Sequence, residues 1–120
     1  YAHARICSVF RQMNEKGYTF FQSKKLSDLS TLVEDHEIKL LRSLAKYPGV
    51  IENAAVSFEP HQLAYYLKDL ANDFHTYYNV NQFLVEDDLI RNARLSLIDA
   101  TRQVIRNGLL QLGVSSPEEM

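Results

Sequence analysis

The 120 residues contain one cysteine, Cys7. No disulfide can close within the chain, and no cysteine cluster is present to hold zinc. A reducing, cytoplasmic setting fits that usage. No apolar run approaches the ~20 residues that cross a bilayer as a helix, and no signal peptide is visible. An excess of positive charge is missing too: 13 Lys and Arg stand against 15 Asp and Glu, a formal net charge of -2. A domain that held nucleic acid by bulk electrostatics alone would be clearly basic. Any nucleic-acid site here must therefore rest on stacking and a few cations. There is no Gly-rich phosphate loop, no nucleophile elbow and no carboxylate pair placed for a pocket. The four histidines, His3, His36, His61 and His75, lack the spacing of a metal motif such as H-E-x-x-H. These absences leave no catalytic and no metal residue to nominate. "EDHE" (34–37) reads as a solvated acidic run, and Cys7 as a small packed side chain.

What remains is an ordinary globular composition, 46% hydrophobic and 23% charged, enough for one domain around one core. The chain opens on Tyr1, already inside a helical pattern, and reads as a piece of a longer protein. Apolar spacing is helical nearly everywhere. Ala2, Ile6, Val9, Phe10 and Met13 share one face of a first helix that Gly17 follows. Residues 14–30 are polar and aperiodic, a connection. Asp28 or Ser30 is the expected cap of a second helix carrying Leu32, Val33, Leu40, Leu41 and Leu44. "YPG" (47–49) stops it, and a short helix through Val50, Ile51, Ala54 and Ala55 comes next. Pro60 opens a fourth helix, where its missing N–H costs little; Leu63, Leu67, Leu70 and Phe74 form its apolar stripe. After the acidic "VEDD" a fifth helix runs from about Leu89 to Leu112, ended by Gly113. The wide apolar arc of that helix, through Ile90, Ala93, Leu97, Ala100, Val104 and Ile105, predicts burial on more than one side. The expected architecture is all-α, a bundle of about five helices.

Two polar constellations stand out. On the fourth helix His75 and Asn79 lie opposite the apolar stripe, and Tyr78 sits at its margin. Packing would wedge the Tyr78 ring and leave its hydroxyl and one face accessible, a geometry suited to base stacking. The plainer alternative is a margin tyrosine with a wet hydroxyl. On the first helix Tyr1, Arg5, Ser8 and Gln12 line one polar face. A ring, a guanidinium, a hydroxyl and an amide suit phosphate and base edges, although solvated helix faces look the same. Asp99, Arg102 and Arg106 read as solvated or mutually paired charges.

Three blocks, "YAHARICSVFRQ", "PHQLAYYLKDLANDFHTYYN" and "ARLSLIDATRQVIRNGLLQLGVSSPEEM", make the chain resemble the C-terminal anticodon-binding domain of arginyl-tRNA synthetases, the all-helical DALR type. They occur in the family's order and span residues 1–120. The resemblance implies a class I aminoacyl-tRNA synthetase anticodon-binding domain. Its partners would be arginine tRNA and the enzyme's own catalytic domain. ATP with magnesium would be used by the full enzyme in the cytoplasm, and no cofactor by this segment. It further implies that Arg5, Tyr78 and Met120 surround the anticodon loop, with Tyr1, His75 and Asn79 beside them. Gly113 and Pro117 would turn the tail so that Met120 and Tyr78 flank one nucleotide. Glu119 stands where the family commonly has arginine, and Asn81 where a cysteine is common. Two other readings compete: a helical domain that binds only protein, and the related domain of another class I enzyme such as the cysteine synthetase.

Overall fold

The computed structural model describes residues 2–20, 30–57 and 59–113. Five helices and no strand occur among them: α1 (Ala2–Glu15), α2 (Asp35–Ala45), α3 (Tyr47–Ser57), α4 (Pro60–Val80) and α5 (Asp88–Gln111). None is long and apolar enough to cross a membrane.

Each helix end has a local cause. The α1 terminus is a Schellman turn: Tyr18 N–H donates to the Met13 carbonyl and Gly17 N–H to that of Asn14, both at 3.1 Å. Gly17 takes the left-handed backbone this turn needs, with φ at 77°. Pro60 begins α4 as expected. Asp87 caps α5, its Oδ1 accepting from the N–H groups of Leu89 and Ile90 at 3.0 and 3.1 Å. The start of α2 differs from expectation. Its cap is Glu34, whose N–H donates to Glu37 Oε1 at 3.1 Å. Ser30 lies ahead of the helix and Asp28 outside the described residues. Leu32 and Val33 precede α2 rather than ride on it; Leu32 reaches the core while Val33 is 67% exposed. "YPG" opens α3 as well as closing α2.

α4 is the central element, packed against α2, α3 and α5, while α1 lies across α5 and α4. The apolar rows of these helices meet in one core of Ile6, Leu40, Leu70, Phe74, Tyr77, Leu95 and Ile98, all fully buried. Gly108 of α5 lies against Leu67 of α4. A Cβ there would stand 2.7 Å from the Leu67 methyls. α4 and α5 pack on each other, with Leu70, Phe74 and Leu97 inside the core and Val104 packed on it. Because Leu70 has no exposed surface, Leu70→Ala is expected to destabilise the fold by about 2–5 kcal/mol in a denaturant titration. A loss under ~1 kcal/mol would contradict that packing.

Candidate nucleic-acid interface

Two adjacent tyrosines near the end of α4 go separate ways. Tyr77 continues the row of Leu63, Leu67, Leu70 and Phe74 and is fully buried. Tyr78 is one residue, hence about 100°, further round the helix and only half-buried. Its ring is held from behind by Phe74 and Phe83, with centroids 6.0 and 5.9 Å away. Phe83, just past α4, stacks on Phe74 and meets Tyr77 edge-on at 4.9 Å. The margin tyrosine is thus rigid before any ligand arrives, which keeps low the entropy lost on binding.

Arg5 crosses to this place from α1. Its Cζ lies 4.4 Å from the Tyr78 ring centroid, a cation–π stack. Its Nη1 is 3.1 Å from His75 Nδ1. A guanidinium only donates, so Nδ1 accepts and the imidazole carries its proton on Nε2. Arg5 is half-buried rather than exposed, and one face of Tyr78 carries a guanidinium instead of solvent. Burial, then the Arg5 charge, lowers the His75 pKa below its usual 6.5.

The sign of the resulting pH dependence follows. Above pH 6.5 the ring is neutral in folded and unfolded chains alike, and the Arg5 contact is intact. As pH falls from 6.5 through the lowered folded-state value, the folded chain resists protonation and loses stability. An NMR titration of His75 should give a midpoint below 6.5. In Arg5→Ala the midpoint should move up without fully returning, because burial remains. A midpoint at or above 6.5 in the unaltered protein would contradict the arrangement.

Beside Tyr78 a cavity of about 360 Å³ opens between α1 and the α4–α5 loop. Val9, Gln12 and Lys16 form one wall, and Gln82, Phe83 and Leu84 the other. The fold therefore brings Arg5, His75 and Tyr78 together across 70 residues of sequence, and Gln12 of the α1 stripe joins them. Asn79 lies on the exposed side of α4. Tyr1 and Met120, with Pro117 and Glu119, lie outside the described residues.

The loop that walls this cavity is tied to the core by a group the sequence reading placed in solvent. Glu37 of "EDHE" is fully buried. Its Oε2 accepts from Tyr77 Oη at 2.6 Å and Arg94 Nε at 2.9 Å, while Oε1 closes the α2 cap. Arg94 Nη1 then donates to the Gln82 carbonyl at 2.6 Å. Burial, then the bond to Glu37, raises the Tyr77 pKa well above the usual phenol value. The local signal for Glu37 was its place three residues after Glu34, a capping-box spacing. Asp99 and Arg102 pair as expected, but Asp99 is buried and Arg102 lies 4.5 Å over the Phe10 ring. No group of three or more His, Cys, Asp or Glu among the described residues is arranged to hold a metal ion.

An all-helical domain presenting a braced tyrosine under a guanidinium, beside a small polar cavity, has the features of a single-stranded nucleic-acid binder. The chain belongs to the DALR anticodon-binding domain family, whose model matches residues 1–120. It is similar to the arginine–tRNA ligases of Thioalkalivibrio sulfidiphilus, at 61% identity, and Coxiella burnetii, at 57%. Each alignment covers all of this chain and 20% of the relative. Among solved structures, Thermus thermophilus arginyl-tRNA synthetase superposes with a TM-score of 0.81 at 31% identity, over the whole of this chain and 20% of that one. The chain thus spans about a fifth of the length of the relatives it matches.

Proposed function

We propose that this chain is the anticodon-binding domain of an arginine–tRNA ligase, which joins arginine to its tRNA in the cytoplasm using ATP. The observation that carries this reading is the Tyr78–Arg5–His75 stack, in a chain 57–61% identical to ligases of that name. Arg5, His75, Tyr78 and Asn79 would meet the anticodon loop, joined by Tyr1 and Met120. An unstacked base would extend the ring–guanidinium stack, since bases stack on Arg planes as well as on aromatics. ATP and magnesium would serve the full enzyme rather than this segment, which carries no Gly-rich phosphate loop in its sequence. Those groups belong to the enzyme's catalytic domain, this domain's other partner.

Arg5→Lys tests the reading. A lysine cannot lie flat over Tyr78 while donating to His75, because its ammonium is a point charge without a plane. In the intact ligase the substitution should lower aminoacylation by weakening tRNA binding, with arginine activation by ATP unchanged. A fall in ATP chemistry with tRNA affinity intact would refute the assigned role.

A further inference from the structure

The cavity beside Tyr78 contains one side chain that the arrangement above leaves unused. Asn81 follows the last residue of α4; its backbone N–H closes the helix on the Tyr77 carbonyl at 2.9 Å. The residue lines the cavity with Gln12, Lys16 and Gln82. Its side-chain oxygen, Oδ1, is buried and meets no hydrogen-bond partner among the described residues. A buried amide oxygen without a donor is unfavourable, and pairing it returns that deficit. No Oδ1 bond pins the amide, and its terminal torsion is soft. The amide plane can therefore turn to present the oxygen to the cavity. The volume of about 360 Å³ falls in the ~300–1,000 Å³ range of small-ligand sites.

We propose that Asn81 is a specificity-determining residue of this pocket, accepting a hydrogen bond from the exocyclic amino group of a bound base. The inference rests on the reading that the site takes an unstacked RNA base, and it adds which chemistry the pocket selects. On the major-groove edge cytosine N4 and adenine N6 are amino donors, where uracil and guanine present the keto oxygens O4 and O6; the amino group of guanine, N2, lies on its other edge. A keto oxygen facing Oδ1 would place two acceptors together and leave both unpaired, so the pocket selects cytosine or adenine over uracil or guanine. Phe83 and Leu84 close the apolar side of the cavity, and Gln12 and Gln82 supply further polar edges.

The test uses the intact ligase and arginine-tRNA transcripts in which each cytosine or adenine of the anticodon loop is changed singly to uracil or guanine. At one position the unaltered enzyme should lose roughly five- to thirtyfold in affinity, the equivalent of one good hydrogen bond and its rejected alternative. Asn81→Leu should abolish that preference at that position alone, binding both forms with the weaker affinity. Asn81→Asp retains an acceptor and should keep the preference. Melting of Asn81→Leu should match or exceed that of the unaltered protein, because the lost oxygen had no partner; a lowered melting temperature would mark Asn81 as structural and overturn the proposal. So would an undiminished preference in Asn81→Leu, an equal loss for every transcript, or a preference for keto bases in the unaltered enzyme. If instead Tyr78→Ala leaves tRNA affinity untouched, the base-binding reading itself fails; a loss there with discrimination intact in Asn81→Leu overturns the Asn81 role alone.

Discussion

Glu37→Ala is expected to destabilise the domain by about 3–5 kcal/mol, the range for removing one partner of a buried ion pair. Three donors converge on the Glu37 carboxylate: Tyr77 Oη, Arg94 Nε and the Glu34 N–H. With the carboxylate gone, the Arg94 guanidinium stays in place with only 14% of its side chain exposed, and the Tyr77 hydroxyl is buried without an acceptor. Each such group carries its own desolvation penalty. Tyr77→Phe removes one of the three bonds and should be milder, about 1–3 kcal/mol. The effects should be far from additive, since both changes act on one network. Urea titrations of the two single variants and the double variant check this. A loss below ~1 kcal/mol for Glu37→Ala would mean that the carboxylate is not held as described. The consequence reaches the site, because Arg94 also holds the Gln82 carbonyl, and Gln82 walls the cavity beside Tyr78.

Tyr78→Ala is expected to weaken tRNA binding by roughly ten- to over a hundredfold, the ~1–3 kcal/mol that one aromatic contributes to base stacking. Removal of the ring also takes away the platform on which the Arg5 guanidinium lies, so Arg5 loses its fixed plane at the same time. Tyr78→Phe keeps ring and platform and should do less harm. The fold should survive both, because Phe74 and Phe83 remain stacked behind the vacated place. Equilibrium binding of arginine tRNA to the intact ligase reads the effect. Equal losses for Phe and Ala would shift the role from the ring to the hydroxyl.

Periodicity was enough for the helices whose signals are local. Pro60 and the leucine row placed α4, and the acidic residues before Leu89 placed the start of α5. The start of α2 is not legible locally because its cap uses two glutamates, where Ser, Thr, Asp or Asn is the usual capping residue. The misplacing of Glu37 in solvent has a different cause. Its burial is compensated by Tyr77 and Arg94, 40 and 57 residues away, and no window of sequence contains all three. Phe83 was hidden for a similar reason: it opens the short apolar run Phe83–Val85, too brief to show a period, and its partners Phe74 and Tyr77 sit on the preceding helix. For the site, helical periodicity marks Tyr78 as a margin residue and Arg5 as part of a polar face. It took the fold to lay one on the other, and that contact covers the ring face expected to be open.

The central claim is that the Arg5–Tyr78–His75 surface meets an anticodon base. The most direct measurement compares the affinity of the intact ligase and its Tyr78→Ala variant for complete arginine tRNA and for a set in which each anticodon-loop base in turn is replaced by an abasic site. At one abasic position the unaltered enzyme should bind about as weakly as Tyr78→Ala binds complete tRNA, and the two changes together should weaken binding little further. Full additivity at every loop position would contradict the claim, because Tyr78 would then act without touching any anticodon base.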